Sequence, residues 1–204
     1  SSLAQIRGMF ALLRPRQWVK NVFVFAPLIF AGEFLKLQSI EKVALTALIF
    51  CVASSATYIL NDLTDIERDR RHPKKSKSRP LASGLVSIPQ AITILLILYV
   101  ALLAAWFVMP AVLYVVLGYL LLNLAYTFVL KHQPVIDIFT IAIGFVLRVY
   151  AGAMALSVPV SSWMFVTTLC LALYLAAVKR GQELASNGSD SREVLQHYTP
   201  ALID

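Results

Sequence analysis

Six long apolar runs, separated by short polar stretches, constrain this chain more than any other feature. They lie at residues 19–35, 43–60, 91–109, 112–130, 135–156 and 162–178. Each is about as long as a helix needs to be to cross a hydrocarbon core of roughly 30 Å. Only 14% of the residues are charged and 59% are hydrophobic, with a mean hydropathy of +0.74. A water-soluble domain of 204 residues needs more polar surface than that. The expected fold class is therefore all-α, a polytopic transmembrane helical bundle forming a single membrane-embedded domain over residues 1–204. Pro27 lies inside the first run and predicts a kink or a shallow entry there.

A net charge of +7 invites a nucleic-acid partner, but the basic residues sit between membrane runs, and none is expected. Six alternating crossings put fifteen of the 18 Lys and Arg residues on one side, including Arg7, Arg14, Arg16, Lys20 and the cluster from Arg68 to Arg79. The other side holds Lys36 and Lys42, and Arg148 falls within a run. Excess Lys and Arg mark the cytoplasmic face. The expectation is a multi-pass protein integral to the cytoplasmic membrane, with both ends of this chain and the 61–90 loop facing the cytoplasm. The N-terminus SSLAQIRGMF lacks the cleavage pattern of a secretory signal. Cys51 and Cys170 both fall in apolar runs, where buried thiols say nothing about redox compartment. SNGSDSRE at 186–193 is expected to be a polar loop.

The second run ends in an acidic stretch, NDLTDIERD at 61–69, followed by basic residues Lys74, Lys75, Lys77 and Arg79. On a continuous helix Asp62, Asp65 and Asp69 fall within an arc of about 60°, with Asn61 at its edge and Glu67 on the far side. Oxygen ligands on one face suit Mg²⁺, which commonly takes one or two carboxylates plus substrate phosphates. The basic residues that follow are placed to hold those phosphates. A plain solvated charge run explains this stretch less well, because three carboxylates near a helix C-terminus oppose the helix dipole unless a cation compensates.

NDxxDxxxD at Asn61, Asp62, Asp65 and Asp69, with RPxxxG at Arg79, Pro80 and Gly84, resembles the leading signature of the UbiA superfamily of intramembrane prenyltransferases. Further stretches resemble one branch of it, the decaprenyl-phosphate phosphoribosyltransferases: RPRQWVKN at 14–21, His72-Pro73-x-Lys75, LKHQPVID at 130–137, FVLRVYAG at 145–152 and KRGQEL at 179–184. The resemblance implies a helical bundle of nine spans, of which this chain carries six. It implies transfer of a 5-phosphoribosyl group from phosphoribosyl diphosphate to a polyprenyl phosphate. Asn61, Asp62, Asp65 and Asp69 would hold Mg²⁺ and the leaving diphosphate, with Glu183 the remaining acid of a second motif. Lys20, Asn21, Lys75, Arg79, Lys131, Arg148, Lys179 and Arg180 would contact substrate. The shared superfamily keeps open a prenyl diphosphate donor with an aromatic acceptor. It also leaves the oligomeric state open. A transporter lined by Arg148 and Asp137 is the alternative from another class, but it does not need an acidic cluster followed by a basic loop.

Several residues have plainer expectations. Lys179 and Glu183 stand at i, i+4 and suit an ordinary helix pair. Arg148 inside a span costs about 2.5–3.5 kcal/mol, so it needs a partner on another segment or a lipid phosphate. Asp137 lies about three turns away on the same helix, too far to be that partner. His72 precedes Pro73 and suits a helix stop more than a base. Tyr126 and Tyr150 are candidates to face a cavity.

Overall fold

The computed structural model describes residues 2–187. α1 (Ser2–Leu12) leads into a 3₁₀ segment (Pro15–Phe25), a short α2 (Ala26–Phe30) and the long α3 (Leu37–Thr64). Two short helices follow, α4 (Ile66–Arg71) and α5 (Lys75–Ser78). Then come α6 (Ile88–Trp106), α7 (Pro110–Phe128), a 3₁₀ turn (Leu130–His132), α8 (Ile136–Leu156) and α9 (Ser162–Asn187). Among the described residues, α3, α6, α7, α8 and α9 are each long and apolar enough to cross a membrane. The rest of the expected 186–193 loop beyond Asn187, and His197, lie outside the described residues.

The first expected span takes a different form from the other five. It is no continuous α-helix but eleven residues of 3₁₀ helix and five of α-helix. At about 2.0 and 1.5 Å per residue, the two would extend about 30 Å end to end, enough for a hydrocarbon core. Pro27 stands in the first turn of α2, where its missing N–H leaves no hydrogen bond unmade. The segment starts beside the C-terminal end of α3, where Arg14 pairs with Asp62. It reaches α8 near the far end of that helix, where Val24 meets Gly152.

Small side chains permit this packing. α3 buries Ala53, Ser54, Ser55, Ala56 and Thr57 in succession, and α8 buries Ala142, Gly144, Ala151, Gly152 and Ala153. In a membrane, where lipid is as apolar as leucine, close backbone approach takes the place of the hydrophobic drive. Trp18 Nε1 donates to Ser55 Oγ at 2.9 Å, and Ser55 Oγ donates to the Leu13 carbonyl at 2.7 Å, fastening the 3₁₀ segment to α3. The core between them holds Val24, Phe50, Val112 and Val116. α3 and α8 form the centre of the bundle, while α6 and α9 are far less buried. Leu103, Phe107 and Trp163 point outward, as lipid-facing side chains do. Cys51 is half-buried as an apolar run suggests, but Cys170 is exposed on the outer face of α9.

One buried charge cluster joins α8 to α9. Arg180 Nε donates to Asp137 Oδ2 at 2.8 Å, with both side chains almost wholly buried. Its Nη1 reaches Glu183 at 3.0 Å and its Nη2 the Tyr126 hydroxyl at 3.3 Å. Asp137 lies in the first turn of α8, where the helix dipole also favours a carboxylate.

Two stability changes follow. A Cβ at Gly152 would stand 2.0 Å from the Val24 carbonyl oxygen, a backbone atom, so Gly152→Ala should cost about 1–3 kcal/mol or more. Gly118 has no atom within 4 Å of a built Cβ, so Gly118→Ala should be neutral or mildly stabilising. Thermal unfolding in one detergent compares them, and equal midpoints would show that the Val24 contact is not close. Asp137→Asn removes the fully buried carboxylate of the cluster and leaves Arg180 with Glu183 as its remaining acid, and it should cost about 3 kcal/mol, the lower end for breaking a buried pair. A loss no greater than that of an exposed pair such as Glu67–Arg70 would show that Arg180 does not depend on Asp137.

Candidate functional site

A cavity of about 530 Å³ opens at the end of the bundle where α3 finishes and α8 begins. Seven cationic side chains line it: Arg14, Lys20, Lys75, Arg79, Arg148, Lys179 and Arg180. Among the described residues, Glu183 is the sole acidic residue in that lining. Tyrosines and amides from α3 and α7 fill much of the remaining polar wall, among them Tyr58, Asn61, Tyr119, Asn123 and Tyr126. Such a wall favours a ligand carrying several negative charges.

The acidic motif sits beside this cavity in a form the sequence did not predict. α3 ends at Thr64, Asp65 takes φ −96° and ψ 8°, and α4 resumes at Ile66. The backbone hydrogen bonds Asp65 N to Asn61 O and Asp69 N to Asp65 O carry the helical direction across the break. The three carboxylates therefore follow one another without lying on one unbroken helix. Each is met by a cation. Arg14 Nη2 pairs with Asp62, which is 3% exposed. Lys131 Nζ donates to Asp65 Oδ1 at 2.7 Å and to Asn61 Oδ1 at 3.3 Å. Burial raises the Asp69 carboxyl above the usual range, against the pull of the Lys75 charge, and the Asp65 charge adds to the rise. Among the described residues no three His, Cys, Asp or Glu side chains stand together as a ready metal cage. The donors are nonetheless hard oxygens, and a magnesium ion that takes most ligands from a diphosphate needs only one or two of them.

α4 stops at His72, held extended (ψ 131°) before Pro73. The His72 Nδ1 accepts the backbone N–H of Lys74 and of Lys75, both at 3.1 Å, and so starts the turn that carries Lys75 to the cavity wall. Gly84 takes φ 80°, a left-handed conformation that a residue with a Cβ adopts only under strain, and it closes the loop back into α6. The Ser87–Gln90 capping box then begins α6.

Deeper in the bundle, Arg148 is 4% exposed. Its Nε donates to Asn21 Oδ1 at 2.8 Å and its Nη2 to the Tyr119 hydroxyl at 3.3 Å. The guanidinium lies 5.0 Å from the Tyr119 ring centre, 5.2 Å from that of Phe145 and 5.8 Å from that of Phe50. Its partners are neutral. Gly144 leaves room beside Nη1, since a Cβ there would lie 3.4 Å from that atom.

The expected site residues thus divide. Lys20, Asn61, Lys75, Arg79, Arg148, Lys179, Arg180 and Glu183 line the cavity. Asn21 does not: it is 2% exposed, and its amide is spent on Arg148 and on Cys51 Sγ, 3.3 Å away. It orients Arg148 instead of facing a ligand. Arg180 and Glu183 reach the wall as members of the Asp137 cluster. Tyr126 faces the cavity as expected, whereas Tyr150 packs edge-on against Phe165 away from it.

Arg14 was not among the expected site residues. It adopts φ 50° and ψ 62°, a left-handed conformation costing about 1–2 kcal/mol for a residue with a side chain. It also stacks over the Tyr58 ring at 4.9 Å. The signal available was its place just before Pro15, at the mouth of the first run.

Comparison with known proteins agrees with this architecture. The UbiA prenyltransferase family model matches residues 22–192. A decaprenyl-phosphate phosphoribosyltransferase of Mycobacterium tuberculosis strain H37Rv is 38% identical over 97% of this chain and 68% of its own length. One of Mycolicibacterium smegmatis is 36% identical over 97% of this chain and 64% of its own. This chain therefore spans about two thirds of the length of these relatives. Among solved structures, a UbiA homolog from Archaeoglobus fulgidus bound to GPP and Mg²⁺ superposes with a TM-score of 0.75 at 21% identity, covering 94% of this chain and 69% of that one. The small-residue packing of α3 on α8, the acidic turn after α3 and the cationic cavity beside it belong to an integral membrane protein, and this chain is a member of the UbiA prenyltransferase family.

Proposed function

We propose that this chain carries the site of a magnesium-dependent transferase that moves a 5-phosphoribosyl group from phosphoribosyl diphosphate to a polyprenyl phosphate. The observation that supports it most is the cavity wall, with seven cationic side chains against one carboxylate. A prenyl diphosphate ends in hydrocarbon and needs cations at one end only. Phosphoribosyl diphosphate has phosphates at both ends, and the acceptor adds another. The spread of cations from Lys75 and Arg79 at the mouth to Arg148 at depth suits three separate anionic groups. The relatives named as decaprenyl-phosphate phosphoribosyltransferases support the same reading.

In the reaction, the bond between the anomeric carbon and the diphosphate oxygen breaks, and the diphosphate leaves with the electron pair. A phosphate oxygen of the acceptor forms the new bond to that carbon. Positive charge on the ribose and negative charge on the leaving oxygens both grow in the transition state. Asn61, Asp62, Asp65 and Asp69 would hold Mg²⁺, which neutralises the leaving oxygens when bound. Lys75, Arg79 and Lys20 hold the donor phosphates, and Arg148, steadied by Asn21, meets a phosphate that enters deep in the bundle. The acceptor is already ionised, so no general base is needed. That agrees with a wall whose single acid among the described residues, Glu183, is engaged by Arg180. The site faces the cytoplasm, where most of the Lys and Arg residues lie.

Full-length protein in lipid should consume radiolabelled phosphoribosyl diphosphate only with Mg²⁺ and a polyprenyl phosphate present, yielding label extractable with lipid. Asp65→Asn should lower turnover by about 100-fold or more, on the scale of losing one oxyanion stabiliser. Glu67→Gln should be mild, because Glu67 is exposed and its ion pair is with the neighbouring, exposed Arg70. Prenylation of an aromatic acid with no lipid-linked ribose would move the assignment to a prenyltransferase.

Orientation has its own test. In a background with Cys51 and Cys170 replaced by Ala, Gln38→Cys and Ser78→Cys should react with an impermeant maleimide from opposite sides of the membrane. Reaction of both from one side would overturn the topology.

A further inference from the structure

We propose that Arg14 is a resident counter-ion for Asp62, exchanged onto the diphosphate when metal and diphosphate arrive, so that the two ligands bind in mutual dependence. The inference rests on the transfer chemistry proposed above. It begins from three features of Arg14 that a purely structural ion pair does not require. Its backbone is held in the left-handed region. Among the described residues its Nε is buried with no hydrogen-bond partner, although its Nη2 holds Asp62. Its side chain lines the cavity, with Tyr58 stacked on it, so a ligand in that space meets it directly.

Asp62 is 3% exposed and therefore needs a cation at all times. Arg14 supplies it in this structure, and Lys131 serves Asp65 and Asn61 in the same way. The donors expected for a metal are thus already held by the protein's own cations. A divalent ion binding alone to Asp62 must displace Arg14 and leave two cations facing each other. A diphosphate binding alone must draw Arg14 away and leave a buried carboxylate unpaired. Both penalties vanish when the two ligands arrive together. Asp62 then turns to the metal, and Arg14 turns to the phosphate oxygens, where its idle Nε gains an acceptor. Charge is conserved at each exchange, and no proton has to move. Coupling between two ligands is reciprocal, and couplings of about 5- to 150-fold are typical.

Each half of the exchange can be measured without turnover, on the purified full-length protein in detergent. Mn²⁺ alone, followed by its electron paramagnetic resonance signal, should bind Arg14→Gln at least about fivefold more tightly than wild type, because Asp62 is released. Inorganic diphosphate alone, in chelator and followed by equilibrium dialysis, should bind Asp62→Asn more tightly by a similar factor, because Arg14 is released. Loss of a merely structural contact would not improve the binding of either ligand. If Arg14→Gln does not fold, the Asp62→Asn arm decides the matter alone. Failure of either folded variant to gain affinity overturns the exchange. If wild type takes up Mn²⁺ and diphosphate together but the variants gain nothing, the exchange fails and the transfer chemistry stands. If wild type takes up neither when both are supplied, both fail.

Discussion

Hydrocarbon offers no hydrogen bonds, so every polar atom carried into it must find its partner within the protein. Arg148 shows what that demand does to this fold. It sits in the middle of α8, nearly dry, and its guanidinium is satisfied by Asn21 from the 3₁₀ segment, Tyr119 from α7 and the faces of three aromatic rings. Asn21 can reach it only because the 3₁₀ segment lies against α8, and that approach requires Gly152 to have no side chain. The irregular first segment, the glycine and the buried arginine are therefore one arrangement. The same demand joins α8 to α9 through Asp137 and Arg180.

These pairings also shape the cavity. Asn21 and Tyr119 hold Arg148 at depth, and the Asp137 cluster keeps Arg180 and Glu183 at the wall. At the mouth, Pro73 stops α4 and the His72 imidazole starts α5, which brings Lys75 round to the same space. The carboxylates of the acidic turn are neutralised in place by Arg14 and Lys131. Positive charge dominates the space while negative charge is gathered at its edge. That division suits a ligand that carries several negative charges.

Much of this was legible from residues alone, and the failures have a common form. The stop at His72 follows from Pro73, and the need of Arg148 for a partner follows from its position in an apolar run. The acidic turn is recognisable from its spacing, although its break at Asp65 is not. The interruption expected from Pro27 over 19–35 is present, but its form, a long 3₁₀ segment whose Val24 backbone lies against Gly152, is not encoded in local helical propensity. Asn21 was expected at the ligand and is instead spent on Arg148. Tyr150 was a cavity candidate on composition, but its rotation about α8 sends it to Phe165. Cys170, expected buried, faces outward for the same reason: an all-apolar run has no polar stripe to reveal which side turns to lipid.

By itself the sequence determined the membrane class, the positions of the five long apolar helices, the stretches in which charge gathers and the acidic run followed by basic residues. Those follow from run length, charge count and spacing within a few turns, all properties of neighbours along the chain. Tertiary structure alone decided which partner meets each buried polar group: Arg14 with Asp62, Lys131 with Asp65, Arg180 with Asp137, and Asn21 with Arg148. These partners are 48, 66, 43 and 127 residues apart. Contacts at such separations depend on how far each helix is turned and how closely two backbones approach, which local periodicity does not encode.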